Sequence, residues 1–437
     1  MSTKIAEQAQ SPAFDMKAYH RLVMASGLGS SIEHYDFFSY VIIAPLVFDK
    51  LFFPKLDSIA ATIAVYATFA VGFISRPVGG ILFGHFGDRY GRKVILMVTL
   101  LMMGICSFLI GCIPIYATIG IWAPILLVLC RFTQGFAFGG EYSTAIVLTL
   151  ENAPAKNRGF FASWINASGP IGIIAASGLI TGLMGYFGKD QFAAWAWRIP
   201  FLLSLLLVAV GTYMRYKCDE SLLFAMAVKD KKVAKVPIFE VLRKCKLSVL
   251  LGTLVNMVHS SFQYMATMFV VTYAVTRLAM PQARVTSGYL AANILELVMV
   301  LLIARFSDRI GRRPVLLFGI ALAAIFYPLL FQILLLKNVL YLVLGITFAV
   351  GVVHALIFAP EAAFTAELFP TEIRVSGASL SKQLGIVLGG GFSPLIAASL
   401  MGHGTNFAPV IWYFTAIAVA AFVSVLVAKE CFKKALY

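Results

Sequence analysis

Long apolar runs separated by short polar breaks fill almost the whole chain. Each run is long enough to cross about 30 Å of hydrocarbon as a helix. In lipid every backbone polar group needs an internal partner, so the runs are helices rather than open strands. The pattern predicts twelve spans, near 22–48, 58–84, 94–113, 121–149, 159–187, 198–216, 247–276, 285–305, 314–336, 339–366, 375–401 and 407–428. The opening "MSTKIAEQAQSPAFDMKAYHR" is polar and lacks the apolar core of a cleaved leader. The first span is expected to start near Arg21.

One polar break is long. "RYKCDESLLFAMAVKDKKVAKVPIFEVLRKCK", residues 215–246, divides six spans from six. The two halves repeat. "GHFGDRYGRK" at 84–93 matches "ARFSDRIGRR" at 304–313, and "ENAPAKNRG" at 151–159 matches "ELFPTEIRV" at 367–375. Repeats of six spans are parallel, the arrangement of a two-halved transporter with a midplane site. The expected organisation is a tail at 1–20, a six-helix bundle at 21–216, a basic linker at 217–246, a second bundle at 247–428 and a tail at 429–437. Positive loops need only Lys and Arg, whereas these loops keep Asp and Gly in register in both halves. Asp88, Arg89 and Arg92 with Glu151 and Arg158 are expected to form one ionic latch. Asp308, Arg309 and Arg312 with Glu367 and Arg374 are expected to form the other.

Composition fits this reading. Of 437 residues, 60% are hydrophobic and 13% charged, and mean hydropathy is +0.88, about half the charged fraction of a soluble domain. Of 35 Lys and Arg, 25 fall on the side of the two termini, 7 on the opposite side and 3 within spans. That bias predicts both termini in the cytoplasm. It accounts for the net charge of +15 without nucleic acid, and adds attraction to anionic lipid. The six cysteines are scattered without metal or disulfide spacing. No nucleotide loop, metal constellation or nucleophile elbow occurs, so no enzyme activity, metal or cofactor is expected.

On these motifs the chain resembles the major facilitator superfamily over nearly its whole length. Within it the chain is similar to the metabolite:proton symporters, which include carriers of shikimate, α-ketoglutarate, citrate and proline/betaine. The residues that carry the likeness are "IEHYDFF", "RPVGGILFGHFGDRYGRK", "RFTQGFAFGGE" and "WAWRIPF". His34, Tyr142, Ser143 and Lys382 depart from the family pattern. The resemblance implies the major facilitator fold. It also implies that Arg131, 27 residues before Arg158, faces the pair Tyr35-Asp36, as in sugar/proton symporters.

Charge inside the apolar runs supplies the candidate chemistry, because an ionisable group at bilayer depth costs about 3 kcal/mol on insertion scales. Glu33 and Asp36 are three apart, nearly on one helix face, and about 18–22 Å along the first span. With Arg131 as a switch for their protonation, they are the candidate proton-coupling groups. Arg76 lies twelve residues before Asp88, about 18 Å in from the loop. Its repeat mate is Glu296, expected to face it across the cavity or across a substrate. A planar guanidinium suits a carboxylate. Glu33 and Glu141 are the alternative permanent partners of Arg76. Asn256, His259 and Gln263 form a stripe in span 7, with Tyr264 beside it. Glu141, Tyr142, Asn166, His354, Lys382 and Gln383 complete the candidate substrate set. Lys382 either points inward as a second positive group or snorkels.

These expectations converge on a proton-coupled importer of a small organic acid in a bacterial inner membrane, monomeric and working by alternating access. The rival readings are a proline/betaine-type zwitterion carrier, disfavoured by the short tail, a drug/proton antiporter, and a non-transporting metabolite sensor.

Overall fold

The computed structural model describes residues 16–56, 58–154, 156–217, 220, 237–401 and 406–430. Among these the chain is helical throughout, with no strand. Twelve long passages follow the apolar runs. Helix α1 is Met16–Ile43, continued by a π-turn Ala44–Phe48 and Asp49–Phe52. It begins one turn before the expected Arg21. Next come α2 (Ser58–Tyr90), α3 (Arg92–Cys112), α4 (Trp122–Asn152), α5 (Arg158–Gln191) and α6 (Arg198–Tyr216). The second half has α7 (Lys246–Tyr264, continued by a π-turn Met265–Phe269 and Val270–Thr276), α8 (Gln282–Ile310) and α9 (Arg312–Leu335). Helix α10 is Val339–Phe348, a π-turn Ala349–His354 and Ala355–Glu367. Helix α11 is Arg374–Ile386, a π-turn Val387–Gly391 and Ser393–Met401, and α12 is Ala408–Val427.

Ten of these passages are long and apolar enough to cross a membrane by themselves. The other two are α1 and α7, the first helices of each half. Serines, Glu33, His34 and Asp36 lower the hydropathy of α1. Asn256, His259, Ser260, Ser261 and Gln263 do the same in α7. Polar positions thus concentrate on a repeat-related pair of helices. Both carry a π-turn, Ala44–Phe48 in one and Met265–Phe269 in the other, and such turns recur at functional sites.

The halves are two six-helix bundles of the same plan. Helix α1 packs on α5 and α6, α2 on α4, and α3 on α4 and α6. In the second half α7 packs on α11 and α12, α8 on α10, and α9 on α10 and α12. The halves meet where α5 packs on α8, α2 on α11, and α4 on α10 and α11. A buried apolar cluster crosses this seam, joining Ala145, Leu148 and Ile165 to Val300, Ala304, Ala359 and Ala363. This seam lies toward the end at which the described chain begins and finishes, called the terminal end below.

Most of the linker at 217–246 and most of both tails lie outside the described residues. Within it, the short helix Pro237–Lys244 packs on both α2 and α11. Its Val241 is buried with Val249, Phe369, Ile373 and Leu380.

Candidate functional site

Arg76 occupies the middle of α2, where Pro77 interrupts the backbone hydrogen bonding. Its guanidinium carbon lies over three rings, 4.2 Å from the centroid of Phe73, 4.4 Å from Phe138 and 4.8 Å from Phe37. These rings come from α2, α4 and α1. The Tyr264 hydroxyl of α7 faces the guanidinium across the seam, and the Phe73 and Tyr264 rings are 6.1 Å apart. Among the described residues no carboxylate pairs with Arg76, and its Nε has no hydrogen-bond partner. Each expected partner is engaged elsewhere. Glu33 and Glu141 turn to Arg215. Glu296 turns to His354, 2.5 Å away, so it does not reach across to Arg76.

Arg215 is the main residue missing from the sequence-based set. It sits one residue before the end of α6 and reads as part of the basic linker. Yet Phe201, Ser204, Val208, Gly211 and Arg215 form the buried face of α6, a helical spacing that signals inward orientation. Its guanidinium clamps Glu141 through both oxygens, donates to the Leu96 carbonyl at 2.5 Å and lies 3.8 Å from Glu33. Ser30 and Thr99 also donate to Glu141, at 2.9 and 3.3 Å. Gly29 makes room, since a Cβ there would come within 2.5 Å of the guanidinium carbon.

Asp36 and Arg131 do not form a direct ion pair. Asp36 accepts from Ser204, and Ser107 lies beside it, while its Oδ2 has no hydrogen-bond partner. Gln134 donates to Ser107 at 2.7 Å and accepts from Arg131 at 2.9 Å. In place of the expected pair, Arg131 is held by Gln134 and Asp36 by Ser204, with Ser107 between the two groups. Arg131 stacks over Tyr40, 3.9 Å from its centroid. The Tyr35 hydroxyl donates instead to the Pro200 carbonyl at 3.0 Å, because Tyr35 turns to α6. Ser107, Gln134 and Ser204 are neutral residues with no charge anomaly to single them out.

In the second half Lys382 points inward. It pairs with Glu361 at 2.8 Å and sits 4.7 Å from the Tyr142 ring and 5.5 Å from Phe358. Glu361 is absent from the residues predicted from sequence, although a carboxylate within "IFAPEAAFTA" carries the same signal as Glu33. Tyr142 donates to Asn166, which donates to the Phe358 carbonyl across the seam at 2.5 Å. Gln383 donates to the Gly139 carbonyl at 2.9 Å. His259 clusters with His354 and Phe358, with centroids 4.9 and 4.8 Å away, and neither of its ring nitrogens has a partner. The expected stripe on α7 divides. Asn256 bonds Thr365 at 3.1 Å and thereby joins α10, while Gln263 is only half-buried. The arrangement offers a guanidinium without an acid, an ammonium held by a carboxylate, and polar groups from both halves around them.

Comparison with known proteins agrees with this architecture. The sugar (and other) transporter family matches residues 22–247, and the major facilitator superfamily matches residues 252–431. The chain is 37% identical over 435 residues to the inner membrane metabolite transport protein YhjE of Escherichia coli, covering 97% of this chain and 96% of the relative. The chain belongs to the major facilitator superfamily. It is 33% identical to the shikimate transporter of E. coli (98% and 99% covered) and 33% identical to the proline/betaine transporter of Salmonella typhimurium (94% and 83% covered). Among solved structures, the proton:xylose symporter XylE superposes with a TM-score of 0.76 at 17% identity, covering 97% of this chain and 98% of the other. These relatives are transporters of the superfamily, not enzymes.

As in a two-halved facilitator, the repeated loops meet at the terminal end, but each latch draws on both halves. Arg92 pairs with Asp88 at 3.4 Å and Glu151 at 3.3 Å, and Arg374 of the second half also takes Glu151, at 2.8 Å. Arg312 pairs with Asp308 at 2.6 Å and Glu367 at 3.5 Å, and Arg158 of the first half faces Glu367. The expected within-half latches are thus exchanged through Arg158 and Arg374. Asp88 accepts from the N–H groups of Val375 and Ser376 at the start of α11, and Asp308 from those of Gly159 and Phe160 at the start of α5. A carboxylate at a helix N-terminus satisfies free donors and opposes the helix dipole. Arg89 and Arg309 are exposed, since one residue past Asp rotates them off the shared face. Gly91 and Gly311 have φ of 111° and 107°, so glycine in this motif makes the turn between helices.

Proposed function

We propose that the chain is a proton-coupled symporter that imports a small organic acid by alternating access, with Arg76 holding the substrate carboxylate. The observation that carries this reading is a buried guanidinium cradled by three rings with no acidic partner among the described residues. Rings compensate part of its lost hydration. An arriving carboxylate supplies the missing charge and fits the planar fork. Tyr264, Gln263 and His259 from α7, Lys382 and Gln383 from α11, and Glu141, Tyr142 and Asn166 from the first half surround the same region. Asn256, Glu296 and His354 hold the C-terminal wall. Glu33, Asp36 and Arg131 are the proton-coupling groups in this reading. The names of relatives lend it support, one being a shikimate transporter and a fold neighbour a proton symporter.

The terminal end is taken as cytoplasmic from the Lys and Arg bias. Residues 21–216 and 247–428 are then the two rocking bodies, joined by 217–246. The exchanged latches close the cytoplasmic side and break when it opens.

Uptake of labelled shikimate into proteoliposomes tests this. An inward proton gradient should drive accumulation, a protonophore should weaken it, and glycine betaine should compete poorly. Uptake that follows sodium alone, without response to pH, sinks the coupling. Stronger competition by glycine betaine than by organic acids would make the protein a zwitterion carrier.

A further inference from the structure

We infer that Glu33 and Glu141 share one proton, with Arg215 as their fixed countercharge, and that this carboxyl pair is a proton-carrying site separate from Asp36. The inference rests on the proton-coupled reading above and goes further in naming Glu141 and Arg215.

The three side chains expose at most 3% of their surface. Glu141 is saturated with donors, receiving both arms of Arg215 together with Ser30 and Thr99. That environment suits an ionised carboxylate. Glu33 differs. Its Oε1 has no hydrogen-bond partner, its contact to Arg215 is 3.8 Å, and its carboxyl lies within hydrogen-bonding reach of Glu141. Two carboxylates repel at that range, and one proton between them replaces repulsion by a hydrogen bond. The charge balance agrees. Two ionised carboxylates and one guanidinium leave a buried net negative charge, which is costly, and one proton makes the cluster neutral.

Among the described residues, the other elements packed around Glu33 bring no second cation into an ion pair with it. Helix α1 itself brings Ser30, His34 and Asp36, α3 brings Thr99 and the Leu96 carbonyl, α4 brings Glu141, with Arg131 held by Gln134, α5 brings Ser168 against His34, and α6 brings Arg215, with Arg198 at its opposite end bonded to the Gly111 and Ile113 carbonyls. Asp36 is separate, bound to Ser204.

Position ties the pair to transport. Glu33 is one helical turn from Phe37 on α1, and Glu141 is one turn from Phe138 on α4. Phe37 and Phe138 are two of the rings around Arg76, so on both helices the pair lies one turn from the cage, toward the terminal end. Residues three or four apart share a helix face. A carboxylate bound at Arg76 brings negative charge close to the pair and favours keeping its proton. Departure of the substrate removes that charge and favours release. The proton is carried as an O–H bond on Glu33 or Glu141 and leaves as a hydron to water, with no other bond changed. Arg215 is a positioning residue.

Infrared pH titration of the purified full-length protein tests this without a ligand. Wild type should show a protonated-carboxyl band, shifted in D2O, that persists after exposed acids have ionised. Glu33→Gln and Glu141→Gln should each lose that same band, because either change leaves one carboxylate neutralised by Arg215. Asp36→Asn should keep it. Arg215→Lys should keep the band with an altered titration midpoint, a shift that a purely structural role for Arg215 would not produce. Unfolding midpoints show which variants are folded, and either Gln variant suffices. Absence of the band in wild type, its survival in a folded Gln variant, or its loss in Asp36→Asn alone overturns the assignment. In proteoliposomes both Gln variants should lose proton-driven accumulation of shikimate. A wild type indifferent to the proton gradient would instead remove the symport reading while leaving the shared proton in place.

Discussion

Arg76 and Lys382 each expose 4% of their surface, one from each half of the protein, and they are compensated differently. Lys382 has a carboxylate at 2.8 Å. Arg76 has three ring faces within 4.8 Å and no acid among the described residues. A ring quadrupole attracts a cation without cancelling its charge. An anion reaching Lys382 must displace Glu361, whereas one reaching Arg76 displaces nothing charged. Two cations at similar burial can therefore play different parts. In the reading proposed above, one completes a structural pair and the other is open to a ligand.

The largest expected effect attacks the paired side of this contrast. Glu361→Gln strands the Lys382 ammonium in the interior, and breaking a buried pair from one side costs about 3–5 kcal/mol. Lys382→Met strands Glu361 and should cost a similar amount. The double variant should recover most of the loss, because neither charge is then left alone. Arg76→Met strands no acid, so its stability loss should be clearly smaller. Unfolding midpoints in detergent measure all four. Equal losses for Arg76→Met and Lys382→Met would erase the distinction between the two cations.

A smaller effect, on binding, attacks the open side. A charged hydrogen bond contributes roughly 1.5–3 kcal/mol, so Arg76→Gln should weaken shikimate binding about ten- to hundredfold. Arg76→Lys keeps the charge but loses the fork, and should also bind poorly. Thermal shift with shikimate and its methyl ester provides the control. Wild type should prefer the acid, and Arg76→Gln should lose that preference. If the folded variant keeps the wild-type margin, the carboxylate is held elsewhere, and Lys382 released from Glu361 becomes the holder.

The contrast was only partly visible in the sequence. Span positions were legible because lipid leaves the backbone no alternative to helix, and a charge in an apolar run marks itself. Thus Glu33, Asp36, Arg76 and Lys382 stand out as letters. Their partners do not. Internal repeats show that Glu151 and Glu367 are equivalent, and Arg158 and Arg374 likewise, but the same symmetry makes within-half and crossed pairing look identical. Only the packing of α2 on α11 and of α5 on α8 decides for the crossed form. Arg215 was hidden by its place beside a basic linker, where a cation needs no explanation. Which way Lys382 points depends on the rotation of α11 against α4, and no spacing within one helix fixes that. Neutral partners of buried charges, such as Gln134 on Arg131 and Ser204 on Asp36, leave no trace in charge patterning.

The smallest expected effect tests the ring cage itself. Phe73 is the nearest ring to Arg76, at 4.2 Å, and it also touches Tyr264 of the other half. A cation–π contact contributes about 0.5–1 kcal/mol in exposed sites and about 2 when desolvated. Phe73→Leu keeps an apolar side chain and removes the ring face, so the empty protein should lose about 1 kcal/mol of stability. Phe73→Tyr keeps the face and should lose less. The rings cover the flat faces of the guanidinium, while a carboxylate approaches through the N–H edge. Both contacts can therefore persist together, and shikimate affinity should change by less than about threefold in Phe73→Leu, under about 0.7 kcal/mol on the scale where roughly 1.4 kcal/mol is tenfold. A larger loss of affinity would mean that the rings aim the fork rather than shelter it. An unchanged stability would mean that Arg76 needs no compensation from the cage, and its contrast with Lys382 would then rest on the missing acid alone.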